Sequence, residues 1–329
     1  MRLTHRLCAS LGCAIFFVFA PAETSARGQA VHLAGFPRLK QQHHLTCESS
    51  AASMATRARI SEQQIMRSLP RNPNPNLGFR GNPDGEEGAS LVNYGVYAHP
   101  IQQALARFDY RSDQLQYDRD QVLRSYLDRG WPVEAWITYA LQPGTVRLTS
   151  AYGNQFFLVT HEHTVLLVGY DNGHVIANDP WTGTQVEYSW RAFNRSWGLF
   201  GRMGLAIDPC PLPSPVDGIQ LSKSGLSEGE ITWTWRAARH AADYRVTVAE
   251  VGKKIAFVHS GVQSSRRYSI LFPRPGRFYR IEVSSLSPCQ DGSRTVEAFA
   301  RVQQSEITPA PPTASPSPGE PTPTPTTAP

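Results

Sequence analysis

The hydrophobic pattern changes at a proline-rich break, Pro211-Leu-Pro-Ser-Pro215, and this break restricts the possible folds more than any other feature of the chain. Proline fixes φ and removes an amide donor, so such a run suits a linker and interrupts regular structure. Before the break, helix-like segments come first: Ser49–Arg59, Ser61–Leu69, Ile101–Phe108 and Asp120–Arg129. Strand-like runs follow at Pro132–Thr138, Thr164–Tyr170 and His174–Asp179, the last two joined by the turn sequence Asp171-Asn-Gly173. Helices first and strands later predict an α+β unit with an antiparallel sheet over residues 30–208. Residues 70–90, rich in Gly, Pro and Asn, form a connection too long to be incidental. After the break, over 210–303, short alternating runs at Ile231–Trp235, Tyr244–Val248, Lys254–Val258, Tyr268–Leu271 and Phe278–Val283 predict an all-β sandwich.

The two ends of the chain are of another kind. Arg2 and Arg6 precede a short apolar run, Leu11–Phe19, and the small residues Ala20-Pro-Ala22 and Ala26 offer cleavage points. This predicts a signal peptide over residues 1–26 and a secreted, extracellular protein. The run is too short to span a bilayer, so no membrane span is expected. Residues 305–329, nearly all Pro, Thr, Ser and Ala, have no means of burying a core and read as a solvated, disordered tail. The net charge is +5, but Lys and Arg form no cluster, so a nucleic-acid partner is not expected.

The cysteines bear on both units. Cys8 and Cys13 leave with the signal peptide, and Cys210 and Cys289, bracketing the sandwich, are expected to pair in an oxidising compartment. Cys47 is left as a single thiol. It opens a predicted helix, where the helix dipole and free N–H groups would lower its pKa and so supply the nucleophilic thiolate. Gln41, six positions upstream, could donate to a developing oxyanion together with the Cys47 N–H. His163 begins an apolar strand and could pair with the thiolate and protonate a leaving group. The strand ending in Asn178-Asp179 returns beside it, so one of these two could fix the imidazole tautomer; strand alternation allows only one to face His163.

Gln41, Cys47 at a helix start, His163-Thr-Val-Leu-Leu-Val-Gly-Tyr170 and Asp179-Pro180 together resemble the papain-like peptidases related to bacteriocin-processing (double-glycine leader) peptidases, cysteine family thirty-nine, and more closely their stand-alone secreted branch. Cys47-Glu48, the insert Gly78-Phe-Arg-Gly-Asn-Pro-Asp-Gly85, Tyr94-Gly-Val-Tyr97 and Arg129-Gly-Trp-Pro-Val133 extend the resemblance across about residues 33–208. It implies a papain-like fold, with helices packed on an antiparallel sheet. It also implies thiol-dependent hydrolysis of peptide or amide bonds in a peptide or protein substrate. Gln41 would be the oxyanion donor, Cys47 the nucleophile, His163 the base and Asp179 its orienting partner. Gly78, Phe79, Tyr94 and Tyr97 would line the substrate groove. Thr46 departs from the Gly or Asp that often precedes the cysteine. The second unit resembles a fibronectin type III domain at Trp235, Ala242-Asp-Tyr244 and Pro275-Gly-Arg-Phe-Tyr279, and could contact a cell surface or glycan.

Other readings of these residues stay open. No metal or cofactor is called for, although His161, His163 and Cys47 could form a zinc set. His43 and His44 read as loop residues beside the groove, and Trp181, Trp190 and Trp197 as core. A transglutaminase-like acyl transferase, or a binding protein that keeps the fold without turnover, would share the Cys–His–Asp order.

Overall fold

A computed structural model describes residues 30–86, 91–222, 230–251, 256–271, 278–288, 295–299 and 303–306. The signal-peptide and tail expectations lie outside these residues, except that Gln303–Glu306 forms a strand at the tail's edge. In the first unit, the chain starts with a short strand, β1 (Val31–His32), followed by three helices: α1 (Cys47–Ala55), α2 (Glu62–Ser68) and α3 (Ala98–Ala106). Next come β2 (Ser112–Leu115), α4 (Asp120–Asp128), β3 (Val133–Thr138) and a protruding hairpin of β4 (Val146–Ala151) and β5 (Asn154–Val159). The unit ends with β6 (Glu162–Tyr170), β7 (His174–Asp179), β8 (Thr184–Ser189), α5 (Trp190–Leu199) and β9 (Gly204–Ile207).

Seven of these strands make one antiparallel sheet in the order β2-β9-β3-β6-β7-β8, with β1 added against β6. Both faces are covered, so the central strands β3 and β6 are buried along nearly their whole length rather than alternating with solvent. Strand alternation sends Trp136, Leu166 and Val168 to the face shared with α1 to α3, and Val133, Ala135, Ile137, Val165 and Leu167 to the face under α4 and α5. The α5 helix, β2, β8, β9 and the hairpin were not anticipated. α5 carries an apolar stripe of Trp190, Phe193 and Trp197 at i, i+3 and i+7, and Ser189 caps it by accepting from the Ala192 N–H.

α1 is unusual because all nine of its residues are buried. Ser49, Ser50, Ala51, Ala52, Ser53 and Ala55 are small enough for the helix to lie close against β6 and β3, which is what brings its first residue to the sheet. The turn between β6 and β7 forms as its sequence predicts, with Asp171 Oδ1 accepting from the N–H groups of Gly173 and His174 at 2.7 and 2.6 Å. That turn sets the first pairs, Tyr170 with Val175 and Gly169 with Ile176, and a β-bulge between Leu167 and Gly169 then shifts the register by one residue, pairing Leu167 with Ala177 and Leu166 with Asn178.

The second unit contains β10 (Gln220–Ser222), β11 (Glu230–Thr234), β12 (Asp243–Val251), β13 (Ala256–Gln263), β14 (Arg267–Leu271), β15 (Phe278–Pro288), β16 (Thr295–Phe299) and β17 (Gln303–Glu306). They form a three-stranded sheet, β10-β11-β14, and a five-stranded one built around β12 and β15. Ile231 and Trp233 from one sheet and Val246, Val248, Ile281 and Val283 from the other share one core, as a sandwich requires. Cys210 is disulfide-bonded, and Cys289 lies outside the described residues.

Candidate active site

The pairing of β6 with β7, shifted by the β-bulge, brings His163 and Asp179 together. His163 sits near the start of β6 and Asp179 at the end of β7, and His163 Nε2 lies 2.8 Å from Asp179 Oδ1 with both side chains nearly buried. Burial by itself would raise the Asp179 carboxyl. The His163 hydrogen bond and charge and the backbone N–H groups of Trp181 and Thr182 outweigh it, holding the carboxyl below its ordinary range. The neighbouring Asn178 points the other way: its Nδ2 donates to the carbonyls of Phe36 and Pro37. Of the two residues that alternation left open, Asp179 is therefore the one beside His163.

Cys47 opens α1, is 4 % exposed, and lines the same cavity of about 350 Å³ as His163. Thr46, the N-cap residue, makes no side-chain cap; its hydroxyl bonds instead to Glu62 Oε1 at 2.5 Å. Thr46 thus gives the first N–H groups of α1 no cap, although the Glu48 N–H is taken by its own carboxylate. The sulfur's own surroundings run against the expectation of a lowered pKa. Burial, then the charges of Glu48 and Glu162, push the thiol well above its ordinary value, against a smaller opposing contribution from the Thr164 backbone. Cys47 Sγ lies 3.5 Å from Glu48 Oε2, and burial pushes the Glu48 carboxyl up to about 7.

The expected groove residues stand elsewhere, and Gln41 is engaged within its own loop. Gln41 directs its amide Nε2 to the carbonyls of His43 and His44, at 2.8 and 2.7 Å, so both amide protons are used within its own loop. An oxyanion role would require at least one of these bonds to break. Tyr94 and Tyr97 are not groove residues. Their hydroxyls meet at 2.8 Å, Tyr94 accepts from the Val159 N–H, Tyr97 donates to the Phe157 carbonyl, and both are buried. Phe79 is likewise buried in the main core, and a Cβ on Gly78 would lie 2.4 Å from the Pro70 carbonyl oxygen. Phe79, Tyr94 and Tyr97 anchor the insert to the body, and Gly78 packs against Pro70 within it. A long polar loop needs such aromatic pillars to hold one conformation, and this explains the correction.

The cavity is walled instead by His44, Tyr139, Gln142, His161, Glu162 and Trp181. Trp181 was expected in the core. It is 42 % exposed, unlike Trp190 and Trp197, and stands edge-on to Tyr139, which stands edge-on to His163. Its sequence signal is only its place two residues after Asp179. The zinc set of His161, His163 and Cys47 is not what the fold gathers. Among the described residues, the donor atoms that lie within 4.8 Å of one another are those of Cys47, Glu48 and Glu162. Glu48 is already held by the Val96 N–H and Glu162 by the Thr164 hydroxyl, so we assign no metal to them.

Comparison with known structures shows the same fold for the first unit. A crystal structure assigned as a C39-like peptidase from Bacillus anthracis matches at 21 % identity and TM-score 0.50, over 55 % of this chain and 98 % of that one. An Fn3-like protein from Clostridium thermocellum matches at 20 % identity and TM-score 0.22, over 28 % of this chain and 90 % of its own. No curated protein sequence matches the chain. The family model described as Peptidase_C39 like family matches residues 33–205, more than half of the sequence and all of the residues that form the cavity. This chain belongs to the Peptidase_C39 like family.

Proposed function

We infer that the protein is an exported cysteine peptidase that hydrolyses peptide or amide bonds. The observation that carries this reading is the buried His163–Asp179 pair opening on the same cavity as the Cys47 thiol. In the reaction, Cys47 Sγ attacks the carbonyl carbon and the carbonyl electron pair moves to oxygen beside the start of α1. His163 relays the thiol proton to the leaving nitrogen as the C–N bond breaks. A water that gives its proton to His163 then hydrolyses the thioester. Asp179 keeps the imidazole in one tautomer throughout. Export rests on the basic and apolar pattern of the first residues, and the β-sandwich is read as the part that holds a surface or glycan partner.

Digestion of a peptide library by wild type, Cys47→Ser and His163→Ala tests the reading. Cleavage that falls by at least about 10³-fold in both variants supports it. Equal cleavage by His163→Ala and wild type, or none by wild type across the library, would sink it. The carboxylates crowding Cys47 favour one second reading, a binding protein on the same fold without turnover.

A further inference from the structure

We propose that Glu48 controls the ionisation of Cys47: it shares the Cys47 proton and links that ionisation to the glycine-rich insert. This rests on the reading of Cys47 as nucleophile. Three contacts carry it. Glu48 Oε2 lies 3.5 Å from Cys47 Sγ, with the thiol placed to donate. Glu48 Oε1 accepts from the Val96 N–H at 2.6 Å, where the insert rejoins the body just before α3. Gly95, at φ +122°, comes so close that a Cβ there would lie 2.2 Å from Glu48 Oε1. The insert is therefore shaped around this carboxylate, and the carboxylate is aimed at the sulfur.

The groups facing Glu48 are mostly acidic. Glu62 comes from α2, Glu134 from β3 and Glu162 from β6, while Tyr97 stands just before α3 beside the Val96 N–H. The step is a single proton transfer. The S–H bond breaks with its electron pair left on sulfur, and an O–H bond forms at Glu48 Oε2, so the pair's net charge is unchanged. The resulting neutral acid can donate to the thiolate, whereas an ionised Glu48 opposes it. With one proton between two sites, sulfur and carboxyl titrate as a pair. The first proton leaves near pH 7, where Glu48 titrates, and yields a small constant fraction of thiolate. The second leaves well above the thiol's ordinary value.

The test is the rate of Cys47 alkylation by iodoacetamide against pH, in the presence of EDTA, for wild type and Glu48→Gln. It needs no substrate. Wild type is expected to rise near pH 7 to a low plateau and to rise again in alkali. Glu48→Gln keeps an acceptor for the Val96 N–H but loses the charge. It should show one rise, and alkylate about tenfold faster at mildly alkaline pH, one pKa unit's worth. Should the variant fail to fold, the thiolate ultraviolet absorbance of wild type minus Cys47→Ser serves instead: two steps support the proposal and one step overturns it. Coincident profiles for wild type and Glu48→Gln overturn it as well. If both rise in acid alike, a Cys47–His163 ion pair forms without Glu48; the inference then fails while the peptidase reading gains. If Glu48→Gln shifts the profile but wild type cleaves no peptide, the reverse holds.

Discussion

The two halves of the candidate site are built to opposite standards. On the β6–β7 side, His163 and Asp179 are buried as a hydrogen-bonded pair, and Trp181 supplies a further N–H to the carboxylate at 2.8 Å. On the α1 side, a thiol shares its surroundings with Glu48 and Glu162, and both carboxylate oxygens of the nearby Glu134 are buried with no hydrogen-bond partner among the described residues. The first arrangement is satisfied and holds its proton in place. The second concentrates acids where the thiolate would form, and each is costly to ionise there. The difference shows which half the fold satisfies: His163 is held in a buried hydrogen-bonded pair, while Cys47 sits in an acidic pocket bordered by the insert at Val96.

The sharpest way to break this comparison is to remove the pairing on the satisfied side. Asp179→Ala leaves a buried imidazole unpaired and should lower stability by about 3 kcal/mol at neutral pH. Denaturant unfolding measures this. Turnover on any cleavable peptide should fall about 10³–10⁴-fold. The sign of the pH dependence follows from the lowered Asp179 carboxyl. Its contribution is present above the unfolded-state value, about 3.9, and is lost as pH falls through the lower folded value. The gap between wild type and Asp179→Ala should therefore narrow in acid. A gap that stays constant with pH would mean the pair is not what stabilises this half.

How far the sequence revealed this site divides along the same line. His163 and a partner at Asn178 or Asp179 were legible from the apolar strand and the Asp171-Asn-Gly173 turn, which are local facts; alternation left the two open, the resemblance favoured Asp179, and the β-bulge between Leu167 and Gly169 that shifts the register was not legible. Cys47 at a helix start was legible from local facts too, and the two sheets of the second unit could be read from alternation at Ile231–Trp235 and Tyr244–Val248. The surroundings of Cys47 were not legible. Nothing local says that Glu134, Glu162 and Glu48 converge, since β3, β6 and α1 meet only through tertiary packing. Nor does local sequence tell an aromatic pillar such as Tyr94 from a groove residue. Both look like a large ring in a polar loop, and only burial separates them.

The acidic half offers a smaller effect of opposite sign. Burial holds the Glu134 carboxyl well above its ordinary range, with Glu48 adding to the shift. A raised carboxyl contributes stability that is present below the unfolded value, about 4.3, and lost as pH rises. Replacing it by Met, of similar length, should therefore stabilise the fold by about 1–2 kcal/mol at pH 8, with a smaller gain at pH 5. Unfolding curves at the two pH values check this. A destabilised Glu134→Met would show that the acid contributes more than it costs, and the contrast between the halves would disappear.

The smallest effect belongs to the wall between the halves. Trp181 touches the site in two separable ways: its backbone N–H holds Asp179, while its exposed ring leans on Tyr139, centroids 5.6 Å apart. Trp181→Ala keeps the first contact and deletes the second. Because the ring is 42 % exposed, stability should change by less than about 1 kcal/mol. An aromatic contact of this kind contributes about 0.5–1.5 kcal/mol, so KM for a cleaved peptide should rise about threefold to tenfold while kcat stays within about twofold. If kcat fell with KM unchanged, the ring would be acting through His163 and not on the substrate. Trp181 would then belong to the satisfied half of the site, as a positioning residue, and the cavity wall would reduce to Tyr139 and its polar neighbours.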